Sequence, residues 1–192
     1  MTTMTTQDRT ATTTTTTWSI DPAHSLIEFS AKHMMITTVK GRMADARGTL
    51  TINPSNPGRS SVEVDVAAAS IDTRSDQRDA HLRSPDFLDV ERFPTVSFRS
   101  RRIEGATPDE GGSFRVVGEL TIRGTTREVT LDATFEGRGR DPWGGDRVSF
   151  SADTKIDRRD FGLVWNQALE AGGVLVSNDI KIHIEVQAVR SA

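Results

Sequence analysis

From residue 18 onward, apolar and polar side chains alternate with period two in one segment after another. Ile27, Phe29 and Ala31 share one face of a stretch whose other face carries Glu28, Ser30 and Lys32. Val62, Val64 and Val66 alternate with Glu63 and Asp65; Val96 and Phe98 alternate with Ser97 and Arg99. One parity joins Phe114, Val116, Gly118, Leu120 and Ile122, another joins Val129, Leu131, Ala133 and Phe135, and a third joins Val148, Phe150 and Ala152. The last run sets Ile180, Ile182, Ile184 and Val186 against Lys181, His183 and Glu185. Successive side chains of a strand point to opposite faces, so each run predicts a strand with one apolar and one wet face. Residues 39–52 are less regular and predict one more long strand, bent or bulged at Gly41 and Gly48.

Turn-forming residues separate these runs. Residues 53–58 and 107–112 are rich in Asn, Pro and Gly, Arg123-Gly124 predicts a tight hairpin, and residues 137–146 and Gly172-Gly173 mark further connections. About eight strands result, and eight antiparallel strands close into a barrel wide enough for one small ligand. Residues 73–89 break the pattern, being polar and free of β-branched side chains after Thr73. Ser75 stands as an N-cap ahead of Asp76 and Asp79, which predicts a short helix over 75–83 and a second turn at 86–89. A single helix inserted in an all-β chain is placed to cover an open end of the barrel.

The length of 192 residues predicts one domain. Eleven of the first 17 residues are Thr, which cannot bury enough apolar area to offset ordering, so residues 1–17 are expected to be a disordered tail ahead of a domain at 18–192. That tail lacks the apolar core of a secretory signal and has Arg9 as its one basic residue, so a cytoplasmic location is expected. No run approaches the ~20 apolar residues of a transmembrane helix. The 24 basic and 27 acidic residues give a net charge of −3, which argues against a nucleic-acid binder. The absence of cysteine excludes disulfides, thiolate chemistry and Cys-ligated metal clusters.

Several stretches, in order, resemble the YceI-like family. They are Trp18, Asp21, His24 and Ser25; Ile27, Phe29, His33, Val39 and Gly41; and Ile71, Thr73, Arg78, Asp79, His81 and Leu82. Ser84, Phe87, Phe93, Pro94, Phe98 and Ser100 follow, then Gly118, Leu120, Thr121, Ile122, Gly124 and Thr125, and last Arg159, Phe161, Gly162, Trp165 and Asn166. Met43 departs from the pattern, where the family often has Phe. The resemblance implies an eight-stranded antiparallel lipocalin-like barrel that holds a polyisoprenoid lipid or isoprenoid quinone in an apolar interior. It implies no covalent chemistry and no cofactor beyond that bound lipid.

The inward parity then nominates a cavity wall. Ile27, Phe29, Val64, Phe98 and Val116 belong to it, as do Leu120, Leu131, Phe150 and Ile182, with Trp165 as wall or end plug. Candidates for a ligand head group are His24, Arg78, Asp79, His81, Arg159 and Asn166. Arg78, Asp79 and His81 are expected to form a polar cluster below the helix, with Asp79 paired to an arginine or His81. Asn166 is the expected partner of the Trp165 indole N–H. His24, His33 and His81 match no local metal motif, so no metal is expected. No GxSxG, Walker or GxGxxG pattern points to catalysis. A lipid carrier or store is thus the leading expectation, with a cavity-based hydrolase or isomerase, or a stress-linked interaction module, as rivals. A homodimer is compatible with the exposed faces.

Overall fold

The computed structural model describes residues 15–107, 109–170 and 172–191. Among them are eleven strands: β1 (Thr16–Ile20), β2 (Leu26–His33), β3 (Thr37–Met43), β4 (Ala46–Ile52), β5 (Ser61–Ala67), β6 (Ile71–Asp72), β7 (Thr95–Glu104), β8 (Ser113–Ile122), β9 (Thr125–Arg140), β10 (Asp146–Asp157) and β11 (Asp179–Arg190). The helix α1 (Asp76–Arg83) follows β6. The residues expected to form a tail lie mostly outside the described ones, but Thr16 and Thr17 are strand, so the barrel starts two residues earlier than the alternation indicated.

Eight strands close a ring in the order β1, β4, β5, β7, β8, β9, β10, β11 and back to β1, each neighbour antiparallel. The remaining three are continuations past breaks. β1 and β2 form one bent strand along β11, interrupted at the Pro22–His24 turn. β3 and β4 are broken at Ala44 and Asp45, and β6 continues β5 onto β3. The expected single strand over 39–52 is therefore two strands.

Gly41 and Gly48 are not bulges. A Cβ on Gly41 would strike the ring of Phe29, its cross-strand partner, and lie 2.8 Å from Thr73 Cγ2; a Cβ on Gly48 would strike the Glu63 carbonyl. Both are close approaches that only glycine permits. Between β8 and β9 the two-residue turn has positive φ at Arg123 (49°) and Gly124 (70°), the type I′ geometry that matches strand twist.

Beyond the closed ring, β6 and β7 do not pair, which leaves a gap at one end of the barrel. The helix α1, the turns after it and residues 158–165 pack at that end. The helix begins after Ser75 as expected, although the Ser75 hydroxyl makes no capping bond. Phe87, Leu88, Phe161 and Leu163 pack there with Ile71, Ile122 and Ile156, sealing one end of the barrel. Arg123 holds the cover from the β8–β9 turn, donating to the Pro85 and Gly162 carbonyls at 2.7 and 3.1 Å.

Candidate functional site

Inward side chains of the strands do not meet at the axis. They surround a cavity of about 1000 Å3. Ile27, Phe29, Val64, Leu120, Leu131, Phe150 and Ile182 point inward yet are only half-buried, because they face this cavity rather than packed side chains. A packed protein interior has few voids larger than a water molecule, so a hollow of this size is a built feature. It lies at the upper end of the roughly 300–1,000 Å3 of small-molecule pockets. The twelve residues of β11, rising ~3.3 Å each and tilted by ~40°, make the barrel about 30 Å tall.

All ten expected wall residues border this cavity, Trp165 at the sealed end with Phe98 and Val116 the best buried. Charged groups border the cavity toward its two ends, whereas Thr154 is a polar group on the inward parity of β10. Arg138, Arg140, Asp146 and Arg190 border the far end, and Arg78, His81 and Arg158 the sealed end.

The six head-group candidates divide. Arg78 and His81 border the cavity; His24, Asp79, Arg159 and Asn166 do not. His24 is exposed and bound to Asp21, its Nδ1 2.8 Å from the carboxylate. That carboxylate also accepts from Ala23 N–H and lies 2.7 Å from Arg147 Nη1, so Asp21 and His24 brace the break between β1 and β2. Arg159 points outward and grips Asp157, Nε to Oδ1 at 3.0 Å, which holds the Asp157 carboxyl down at about 2. Asn166 is committed to Val176, accepting from its N–H at 3.1 Å and donating to its carbonyl at 2.8 Å, and so is not the indole partner expected.

Asp79 is buried, but its partner is neither an arginine nor His81. It accepts from Thr73 N–H at 2.9 Å and from the Thr73 hydroxyl. Arg78 completes the knot, donating to Thr73 Oγ1 and the Thr73 carbonyl, each at 2.7 Å. His81 lies apart, 2.9 Å from Asp86, with its ring edge-on to Phe87 and Trp165 at centroid distances of 5.0 and 4.6 Å. These three rings plug the sealed end. Among the described residues no group of His, Asp and Glu converges as a metal site.

Of the two adjacent arginines, Arg158 and not the nominated Arg159 faces the cavity. Arg158 is 3% exposed. Its Nε donates to the Ser177 carbonyl at 3.0 Å, and its Nη1 to the carbonyls of Leu163 and Trp165. Nη2 has no partner, and no carboxylate pairs with the guanidinium among the described residues. Burial lowers its pKa from the usual arginine value. A signal existed: Val148, Phe150, Ala152, Thr154, Ile156 and Arg158 share one parity, while Arg159 falls on the other.

The model of the YceI-like domain matches residues 18–188. This chain belongs to the YceI-like family. A UPF0312 protein of Serratia proteamaculans is 37% identical over 168 residues, covering 88% of this chain and 82% of that one. Among solved structures, Burkholderia cenocepacia BcnA superposes with a TM-score of 0.75 at 21% identity, over 88% of this chain and 98% of its own. A polyisoprenoid-binding domain from Saccharophagus degradans, implicated in plant cell wall breakdown, superposes at 0.65 with 12% identity, over 91% and 98%. At those identities the two structures show a shared barrel fold. Among the described residues no helix is long and apolar enough to cross a membrane.

Proposed function

We propose that this YceI-like protein binds a polyisoprenoid chain or isoprenoid quinone inside its barrel, as a carrier or store without covalent chemistry. The observation that carries this reading is the cavity of about 1000 Å3 walled by aliphatic and aromatic side chains. Burying a methylene gives about 0.8 kcal/mol, so about twenty ligand carbons give ~16 kcal/mol gross. Association and ordering cost ~4–15 kcal/mol, so binding without a charged anchor is feasible. The Saccharophagus degradans barrel, a polyisoprenoid-binding domain, supports the same ligand class.

The polar end of the ligand belongs at the sealed end. Arg158 supplies a buried, unpaired N–H pair there, and Arg78 and His81 border the same region. An oxygen acceptor on the ligand satisfies Nη2, and an anionic one also compensates the charge. His24, Asp79, Arg159 and Asn166 act instead as structural ties.

Organic extraction of the purified full-length protein, followed by mass spectrometry, tests the reading. A prenyl lipid or quinone is expected in the extract, and added polyprenol is expected to raise Tm of the stripped protein by mass action. An extract free of prenyl compounds together with an unchanged Tm overturns it.

A further inference from the structure

The turn joining β2 to β3 presents three apolar side chains to water. Met34, Met35 and Ile36 are 42%, 59% and 75% exposed. Ile36 N–H donates to the His33 carbonyl at 3.0 Å, and φ is positive at both central residues, 51° at Met34 and 60° at Met35. Such a turn favours Asn-Gly, because a larger side chain crowds the left-handed backbone. Two methionines thus stand where neither local conformation nor burial favours them. A contiguous apolar tip of this kind marks a contact surface.

The charge behind the tip specifies the partner. The chain has four lysines, Lys32, Lys40, Lys155 and Lys181, and all lie on the adjacent strands β10, β11, β2 and β3. Strand register sets Lys155 beside Lys181, Lys181 beside Ser30 and Ser30 beside Lys40, a transverse row on the outer face. Ser30 is about 13 Å of strand from Met34, and Lys32 stands between them. Lys155 meets Asp179 at 3.1 Å, whereas Lys32, Lys40 and Lys181 form no ion pair among the described residues. Of the acids flanking the row toward the end, Asp157 is held by Arg159 and Asp179 by Lys155. Glu28 and Asp153 lie one row farther from the tip.

We propose that this end of the barrel docks on an anionic lipid bilayer. Met34, Met35 and Ile36 enter the acyl boundary, while the lysines behind them reach lipid phosphates with their long stems. Val164, 68% exposed on the segment that closes the same end, extends the apolar contact. The tip is also fastened to the cavity cover. Met34 N–H donates to the Leu175 carbonyl at 2.8 Å, His33 bridges to Val176, and both Leu175 and Val176 border the cavity. Docking therefore sets the sealed end against the membrane. That a prenyl lipid crosses there rests on the function proposed above; the docking itself does not.

Flotation of the full chain with vesicles tests the docking. Binding is expected to phosphatidylcholine vesicles containing phosphatidylglycerol, weaker to phosphatidylcholine alone, and weaker again as salt rises. Replacing the tip as Met34→Asn, Met35→Gly and Ile36→Ser gives the turn its preferred residues, so Tm is expected to hold or rise. The same variant is expected to lose roughly tenfold or more of its vesicle binding. Lys40→Glu with Lys181→Glu is expected to remove the preference for anionic vesicles. Trp143→Ser, which alters an 87%-exposed residue at the opposite end, is expected to bind as wild type. The proposal is overturned by a wild type that stays off anionic vesicles, by a tip variant that binds them unchanged, or by loss of binding in Trp143→Ser alone. It is also overturned if the tip variant changes only self-association. Lipid extraction and flotation are separate measurements, so cavity binding and docking can fail independently.

Discussion

Arg147 Nη1 lies 2.7 Å from Asp21 Oδ2, tying the start of β10 to the break between β1 and β2. The hydrogen bond from Arg147, reinforced by His24, holds the Asp21 carboxyl at about 2. A carboxyl depressed in the folded state stabilises the fold fully above its unfolded pKa, and that stability is lost as pH falls through the folded value. Asp21→Asn is therefore expected to lower Tm at neutral pH and to flatten the loss of Tm between roughly pH 4 and pH 2. Thermal melts at stepped pH check this. A variant with the wild-type acid slope contradicts the assignment.

Gly41 tests the cavity wall itself. Its missing side chain makes room for the Phe29 ring on one side and Thr73 on the other. Gly41→Ala is expected to push the ring toward the cavity and cost about 1–3 kcal/mol, the usual range for overpacking. Urea unfolding gives the stability. The amount of prenyl lipid retained per mole of protein is expected to fall as the ring occupies ligand space, and undiminished retention would show that Phe29 moves elsewhere.

Asp79 tests the knot beneath α1. Replacing it with Ala leaves the buried Thr73 N–H and hydroxyl without their acceptor. The expected cost is about 2–3 kcal/mol, in line with an unsatisfied buried group that had bonded a charge. Asp79→Asn keeps one acceptor oxygen and is expected to lose less. Equal losses from Ala and Asn would indicate that packing outweighs hydrogen bonding there.

The barrel was legible because each strand obeys one physical rule over many residues. Val116 with Leu120, or Ile182 with Ile184, announce an inner face whatever their neighbours do. Period two is silent on whether facing walls touch, so the hollow was visible only through the family resemblance. β1 was hidden because its Thr-rich start reads as a polar tail. Gly41 and Gly48 were misread because a close approach and a bulge ask for the same residue, and only the partner strand distinguishes them. Polar candidates fared differently because hydrogen bonding is decided in three dimensions. Asp79 chose Thr73, and Asn166 chose the Val176 backbone. Parity did carry information at 158–159, where one arginine faces in and its neighbour faces out.

Arg158 therefore gives the most direct test of ligand orientation. Its guanidinium binds three backbone carbonyls and still has Nη2 unpaired, so it has two roles to separate. Loss of the carbonyl contacts should destabilise any variant, and absolute affinity is then a poor readout. The ratio of affinities for a prenyl carboxylic acid and the prenyl alcohol of equal length is independent of that loss. Wild type is expected to prefer the acid by about tenfold to a hundredfold, the ~1.5–3 kcal/mol of a hydrogen bond to a charged group. Arg158→Gln is expected to bring the ratio near one, and Arg158→Lys to restore part of it. The preference should persist well above neutral pH, because burial lowers the Arg158 pKa without making arginine an ordinary base in that range. An unchanged ratio in Arg158→Gln would place the ligand's polar end elsewhere, with Arg138, Arg140 and Arg190 at the far end as the next groups to vary.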